Sequence, residues 1–252
     1  MTPLDLAEVC EYVNQNIVEF HQRRISTLSE LRLPSLLSKN PYLFRAKNLA
    51  TASELITSLL DALLSSSEEK LFGDFLEDLA IFIAGKTCNG HKSSAPGVDL
   101  EFISDGVHYV VSIKSGTRWG NSSQKRWLEQ DLQEAVKRIK QSRHAANVQP
   151  VLGICYGKTK TSYLRGYQQV VGQNFWYLIS GNKALYTDII EPIGYRAREH
   201  NDFFAAEKAK VINRFTGLFI ERFCDEFGAI DWVRLVEFNS GNFDLEGLHS
   251  PN

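Results

Sequence analysis

Cysteine is scarce in this chain, and its pattern excludes two common kinds of site. Four cysteines occur among 252 residues, far apart and without a C-x-x-C pair. Neither a zinc motif nor a disulfide framework is therefore expected. The first residues include Asp5 and Glu8 but no early basic cluster, which is not the pattern of a secretory signal. We expect an intracellular protein with reduced thiols.

Long apolar runs and a strong charge of one sign are also missing. No apolar run approaches the roughly 18 residues that a membrane span needs, so no membrane partner is expected. The net charge of −2 does not indicate a nucleic-acid binder. It does not exclude one either, because binding depends on where the basic groups lie. The length suits a single domain over residues 1–252, with a core at 68–195 between helical parts at 1–67 and 196–252.

Helical periodicity dominates the first third of the chain. Apolar residues recur at helical spacing from Leu4 to Arg24. Thr51 and Ser53 are plausible N-caps for a second helix. Ser65–Ser67 form a short polar joint, after which a third helix is predicted at Glu69–Ala84.

Strand patterns begin at Gly97 and alternate with helical ones. Two alternating segments flank Asp105-Gly106, and this pattern predicts a β-hairpin. The later predicted elements are a helix capped by Asn121 or Ser122 that ends near Arg143, strands at Val151–Tyr156 and Phe175–Ile179, and a helix at Ala197–Phe227. This order predicts an α/β (α+β) fold, in which helices flank a mixed sheet.

The hairpin turn fixes a register that can be counted. If Asp105-Gly106 is a two-residue turn, Ser104 lies opposite Val107. The pairs that follow are Phe102 with Tyr109, Leu100 with Val111, and Val98 with Ile113. All six are apolar or aromatic, and we expect them on one face because a one-residue slip would mix the faces.

The other face of the hairpin carries polar groups. Asp99 lies opposite Ser112, Lys114 follows two residues later, and Glu101 lies nearer the turn. Carboxylates hold Mg²⁺ well, and a bound ion lowers the pKa of its water. An adjacent lysine can stabilise developing negative charge. The group therefore suits phosphodiester hydrolysis, although a cross-strand ion pair on a solvated face has the same pattern.

A glutamate on the preceding predicted helix could join this group. Glu77 shares a stripe with Gly73, Ala80 and Ala84, at helical spacing. Small residues allow close approach of another element, so Glu77 could reach the site. The alternative is a glutamate at the solvent edge.

A basic and polar segment follows the hairpin. It provides charges, uncharged donors and a predicted helix N-terminus, all suited to phosphate contacts. The candidate DNA-binding residues are Arg118, Trp119, Asn121, Ser122, Ser123, Gln124, Lys125 and Arg126. Lys158 and Lys160 could also line a DNA cleft, or lie on a solvated loop.

Several of these segments resemble a known family. Gly97-Val-Asp-Leu-Glu followed by Ser112-Ile-Lys resembles the PD-(D/E)XK nuclease motif. The block from Tyr109 to Gln124 is similar to one found in a group of type II restriction endonucleases. Ile179-Ser-Gly-Asn and the segment Tyr186–Pro192 resemble later blocks of that group. The similarity covers roughly residues 71–201.

The resemblance implies a fold, an activity and partners. It implies a restriction-endonuclease-like sheet with helical additions, and Mg²⁺-dependent, site-specific hydrolysis of double-stranded DNA. It also implies a homodimer in a prokaryotic cytoplasm, with a cognate DNA methyltransferase in the same system.

The resemblance also implies roles for single residues. Asp99 takes the metal-binding role, Lys114 the catalytic role, and Glu77 resembles the glutamate on the preceding helix. Ser112 departs from the motif, which has Asp or Glu there. The missing acidic ligand is then Glu77 or Glu101, and the backbone carbonyl of Ile113 could also coordinate the ion.

Two other functions remain open from the sequence, and a third is disfavoured. A repair or recombination nuclease would recognise DNA shape. A non-catalytic DNA-binding relative would carry Ser112 as a mark of a decayed site. A ββα-metal nuclease would use a histidine as base, but His108 lies opposite Ile103 near the turn, which does not favour that role.

Overall fold

A computed structural model of the chain describes residues 1–143, 147–164 and 166–243. Within these ranges the helices are α1 (Leu6–Glu30), α2 (Leu33–Leu37), α3 (Pro41–Ala46), α4 (Ala52–Cys88), α5 (Ser122–Arg143), α6 (Gln173–Ser180), α7 (Leu185–Asp188), α8 (Ile190–Ile193), α9 (Ala197–Phe223) and α10 (Trp232–Ser240). The strands are β1 (His91–Lys92), β2 (Leu100–Ser104), β3 (Val107–Lys114), β4 (Val148–Ile154), β5 (Ser162–Leu164) and β6 (Tyr167–Val171). No helix in the described part of the chain is long and apolar enough to cross a bilayer.

The strands form one six-stranded mixed sheet in the order β1-β2-β3-β4-β6-β5. The central neighbours β3–β4 and β4–β6 are parallel, and the remaining pairs are antiparallel. One apolar cluster joins the sheet to α1, α4 and α6, and another joins it to α5. The predicted mixed sheet flanked by helices is confirmed.

The predicted hairpin turn and register are confirmed from Leu100 to Val111. Ser104 pairs with Val107, and Leu100 pairs with Val111. Asp105 and Gly106 have φ values of 50° and 75°, as a type I′ turn requires. The counting from the Asp-Gly turn therefore places the middle of the hairpin correctly.

The predicted face of Val98 is wrong. The other five apolar residues of the hairpin pack in or against the cluster that includes α4, but Val98 lies in the cluster that includes α5. The Asp99 N–H donates to the carbonyl of Val111 at 2.9 Å, one residue off the regular ladder. This is the pattern of a β-bulge, which shifts the alternation and re-aims side chains.

The predicted polar joint at Ser65–Ser67 is also wrong. The helices on either side form one 37-residue helix, α4. Serine is only mildly unfavourable inside a helix, and the Ser66 hydroxyl donates to the Ala62 carbonyl one turn earlier at 3.0 Å.

The predicted N-cap of α4 is confirmed, because Thr51 Oγ1 accepts from the Glu54 N–H at 3.2 Å and Glu54 Oε2 accepts from the Thr51 N–H at 3.1 Å. This reciprocal pair is a capping box.

The segment Phe175–Ile179 is helical, so its predicted strand is wrong. It lies in α6, where Phe175, Trp176 and Ile179 are buried. That spacing puts all three on one side of a helix. The C-cap Gly181 has φ 69°, a left-handed conformation that ends the helix. The strands that the sequence did not predict are β1, β5 and β6.

The chain divides into two compact units. The first contains residues 1–20 and 70–197, and it holds the whole sheet. The second contains residues 21–69 and 198–252, and its described part is helical around an apolar core of its own. All candidate site residues lie in the first unit.

Candidate active site

Asp99 lies at the bulge, and backbone and side-chain donors on β3 orient its carboxylate. The Ile113 N–H donates to Asp99 Oδ2 at 2.5 Å, and the Ser112 hydroxyl donates to the same oxygen at 3.3 Å. Ser112 is buried, whereas the Asp99 side chain is 21% exposed. Asp99 and Ser112 are in contact, although the bulge removes the predicted pairing of these two residues directly opposite each other. Asp99 is therefore held by the strand and remains open to solvent.

Lys114 ends β3 beside Asp99. Its Nζ lies 3.8 Å from Asp99 Oδ2 and donates to the carbonyl of Ile113 at 2.7 Å. The side chain is 35% exposed. The predicted proximity of Asp99, Ser112 and Lys114 is thus confirmed. The carbonyl of Ile113, a predicted metal ligand, accepts from the lysine in this arrangement.

Glu77 comes to the same place from α4. The small-residue stripe meets the end of the hairpin, since a Cβ added at Gly73 would lie 3.7 Å from the Cβ of Ser115. Burial and the neighbouring Asp99 carboxylate raise the pKa of Glu77, while Lys92 opposes the rise. The Asp99 carboxylate is therefore near enough to Glu77 to disfavour its ionised form.

The buried thiol of Cys155 is influenced by both Glu77 and Lys114. Burial raises its pKa to about 12, the Glu77 carboxylate adds to the rise, and the Lys114 ammonium opposes it. Cys155 follows β4, and its N–H donates to the carbonyl of Lys114 at 2.9 Å. Glu77 on α4 and Lys114 on β3 therefore both lie within electrostatic range of the Cys155 thiol.

Lys92 is a site residue that the sequence analysis missed. Its Nζ lies 3.4 Å from Glu77 Oε1, and its side chain is 65% exposed. Lys92 belongs to the edge strand β1 and pairs with Leu100, the residue after Asp99. Two residues of strand carry no recognisable alternation, so only the spatial pairing of β1 with β2 reveals this lysine.

Glu101 lies in a separate network. The Ser93 hydroxyl donates to Glu101 Oε1 at 2.6 Å, and Nε2 of His108 lies 3.1 Å from Glu101 Oε2. Although burial alone would raise it, these partners lower the pKa of Glu101 below its usual value. Each carboxylate oxygen of Glu101 therefore has a partner within the protein. As a metal ligand Glu101 stays a prediction, and the geometry favours Glu77 over it.

The predicted cap of α5 is confirmed. Asn121 Oδ1 accepts from the N–H groups of Ser123 and Gln124 at 3.1 and 3.0 Å, and Gln124 Oε1 accepts from the Asn121 N–H at 2.8 Å. Asn121, Ser122, Ser123, Gln124, Lys125 and Arg126 are exposed, as is Arg118. Lys125 Nζ lies 5.9 Å from the ring centre of the half-buried Trp119. The polar segment at the N-terminus of α5 is therefore exposed to solvent.

A second basic loop lies beside this segment. The strands β3 and β4 are parallel, and the Tyr156 N–H donates to the Ser115 carbonyl at 2.9 Å just beyond them. Gly116 has no room for a side chain, since an added Cβ would lie 2.6 Å from the Tyr156 ring. Lys158 and Lys160 follow Tyr156 and are exposed. Both basic loops therefore begin at the end of the sheet where β3 and β4 finish, which is also where Lys114 lies.

The donor set fits a hard cation that keeps some of its water. No three His, Cys, Asp or Glu side chains converge as a metal cluster in the described residues. Mg²⁺ commonly uses only one or two carboxylates, together with waters and substrate phosphates. Asp99 and Glu77 supply two converging, partly exposed carboxylates. Their mutual repulsion is the kind that a bound cation would relieve.

Comparison with known protein families identifies a match over most of the chain. The sequence model of the family described as type II restriction endonuclease EcoO109I matches residues 7–201, well over half of the chain. No curated protein matches the chain significantly. The matched range contains every candidate site residue described above.

Proposed function

The chain belongs to the family of the type II restriction endonuclease EcoO109I, and we propose that it is a Mg²⁺-dependent endonuclease that cleaves double-stranded DNA at a short specific sequence. The observation that carries the proposal is the convergence of Asp99, Lys114 and Glu77 at the end of the hairpin. Two acids beside a lysine suit hydrolysis of a phosphodiester.

Each of the three residues has a proposed part in the reaction. Asp99 and Glu77 would hold Mg²⁺, and the carbonyl of Ile113, which accepts from Lys114 here, would be a further ligand once the ammonium gives way. The ion supplies charge neutralisation at the phosphate and a more acidic bound water. Lys114 orients the attacking water and stabilises negative charge that develops on the phosphate. Its anchoring on the Ile113 carbonyl and beside Asp99 holds the ammonium in place before DNA arrives.

Glu77 takes the part that an acidic residue at position 112 would have. Its carboxylate interacts electrostatically with that of Asp99, while Ser112 only donates a hydrogen bond to Asp99. The acid therefore comes from helix α4 in place of strand β3. Glu101 is the second choice, because Ser93 and His108 already engage its oxygens.

We propose that DNA lies across the end of the sheet at which β3 and β4 finish. The exposed Arg118, Lys125 and Arg126 would contact phosphates, as would Lys158 and Lys160. The N-terminus of α5 adds the positive end of a helix dipole to the same surface. By analogy with the family, we also propose a homodimer that works beside a cognate DNA methyltransferase in a prokaryotic cytoplasm.

Digestion of varied plasmid and phage DNA tests the proposal. With Mg²⁺ we expect discrete fragments, and with EDTA we expect intact DNA. A continuous smear would contradict site specificity. Intact DNA from every substrate in Mg²⁺, together with DNA binding that is equal in EDTA, would instead identify a non-catalytic DNA-binding protein.

A further inference from the structure

Lys92 and Lys114 each pair with one acid of the site, but they are held differently. Lys114 Nζ has a second partner in the Ile113 carbonyl at 2.7 Å, and its side chain is 35% exposed. The ammonium of Lys92 lies 3.4 Å from Glu77, and its side chain is 65% exposed. The Lys92–Glu77 pair is shorter than the 3.8 Å pair of Lys114 with Asp99, but it is the more exposed of the two, and an exposed ion pair is weak and easily exchanged. Lys92 is therefore the more easily displaced of the two cations.

The four charges balance without a metal ion. Asp99 and Glu77 carry two negative charges, and Lys114 and Lys92 carry two positive ones. A divalent cation that binds both acids would bring its charge close to the ammonium of Lys92. Like charges at such short range repel. Glu77 Oε1 therefore cannot keep its contact with Lys92 at full strength while it also holds a divalent ion.

We propose that Lys92 is a positioning residue that holds Glu77 beside Asp99 in the metal-free protein and competes with the divalent cation for it. This inference rests on the proposed function, because it needs Asp99 and Glu77 to be metal ligands. The flexible, exposed side chain of Lys92 moves into solvent when the ion binds. The affinity of the site for metal is thus set partly by a residue that does not touch the metal.

The anchoring of Lys92 agrees with this role. Its strand β1 has only two residues and lies at the sheet edge, so the backbone of Lys92 is fixed against Leu100 while its side chain reaches outward to α4. Glu77 is 25% exposed, so an ion can reach its carboxylate from solvent. Removing the ammonium therefore opens the carboxylate without disturbing the core.

Titration with Mn²⁺ tests the competition without relying on DNA cleavage. Free Mn²⁺ is counted by its electron paramagnetic resonance signal in the presence of the full chain. Lys92→Met should bind Mn²⁺ about two- to fivefold more tightly than the wild type, the range expected from loss of one exposed ion pair. Lys92→Arg keeps the charge and should restore an affinity within twofold of the wild type.

A matched control uses another exposed lysine of the same unit. Lys86 pairs with Glu8 at 3.0 Å, and its side chain is 43% exposed. Lys86→Met should leave Mn²⁺ affinity unchanged. An equal gain in Lys86→Met and Lys92→Met would reduce the effect to net charge and overturn the proposal, as would an unchanged or weaker affinity in Lys92→Met.

Glu77→Gln separates this inference from the proposed function. If Glu77 is a ligand, Glu77→Gln weakens Mn²⁺ binding, and adding Lys92→Met to it gives no further gain. If Glu77→Gln binds Mn²⁺ as well as the wild type does, the proposed ligand role fails and the competition fails with it. If Glu77→Gln weakens binding while Lys92→Met changes nothing, only the competition is wrong.

Discussion

The acidic residues at the two ends of the hairpin differ in their burial and in their hydrogen-bond partners. Near the turn, Glu101 and His108 are buried, and Ser93 completes a network in which each carboxylate oxygen has a partner. At the far end, Asp99 and Glu77 are partly exposed and lie close enough to repel each other. A satisfied buried carboxylate stabilises the fold, whereas a pair of exposed and mutually repelling acids is suited to hold an added cation. Residue type alone does not separate these two uses.

The largest expected effect is at the exposed end. Lys114→Ala removes the ammonium beside Asp99, and we expect Mg²⁺-dependent cleavage to fall by about 10²- to 10³-fold, as when a preorganised charge-stabilising group is lost. Binding of the same DNA in Ca²⁺, measured by gel shift, should change little. Lys86→Ala provides the control. Cleavage by Lys114→Ala at the wild-type rate would remove Lys114 from the reaction.

The second prediction sets the two glutamates against each other. Glu77→Gln removes a proposed ligand, so it should lower the cleavage rate at limiting Mg²⁺ more than tenfold. A tenfold change corresponds to the loss of about 1.4 kcal/mol. Excess Mg²⁺ should partly restore the rate. Glu101→Gln should keep the wild-type Mg²⁺ dependence. Titration of cleavage rate against Mg²⁺ measures both, and the reverse ranking would assign the ligand role to Glu101.

Substitution at the buried end of the hairpin should lower the stability of the fold. Glu101→Gln keeps one acceptor but loses the charge and the second acceptor, so we expect the free energy of unfolding to fall by about 1–3 kcal/mol, the range for a hydrogen bond to a charged group. Urea unfolding followed by circular dichroism measures the change. Glu77→Gln is the comparison and should cost less, since burial and Asp99 already disfavour the charge of Glu77. An equal loss of stability in both variants would erase the distinction between the two ends.

The smallest effect concerns pH. The pKa of Glu101 is lowered from its usual 4.5 by its partners, so its ionised form contributes stability above that value. The contribution is lost as pH falls below 4.5 through the lower pKa of the folded state. The difference in unfolding free energy between the wild type and Glu101→Gln should therefore be largest near pH 6 and shrink below pH 4.5. A difference that stays constant with pH would mean that the charge of Glu101 contributes nothing.

Much of this arrangement follows from local patterns in the sequence. The Asp105-Gly106 turn has a defined backbone geometry, so counting from it places Phe102, Tyr109 and Val111 correctly. The capping residues Thr51 and Asn121 are likewise local, because each bonds to N–H groups two or three residues away. Such features depend on nearest neighbours, and the sequence holds all the information they need.

The features that the sequence did not predict depend on tertiary context. The bulge that places Val98 on the α5 side comes from how the segment before β2 meets β3. Lys92 reaches the site only because β1 pairs with β2. The helix at Phe175–Ile179 has a short apolar run whose periodicity fits a strand or a helix, and packing decides between them. The separation of Glu101 from Glu77 likewise depends on His108 and Ser93 being brought together in the fold.

One measurement tests the central claim most directly, namely that the acids and lysine at the hairpin end cut double-stranded DNA with Mg²⁺. Varied DNA is incubated with the wild type and with Asp99→Asn, and the fragment ends are sequenced. The wild type should give ends that share one short sequence and that appear only with Mg²⁺. Asp99→Asn should give none. Ends of random sequence, or the same ends from Asp99→Asn at the wild-type rate, would contradict the account.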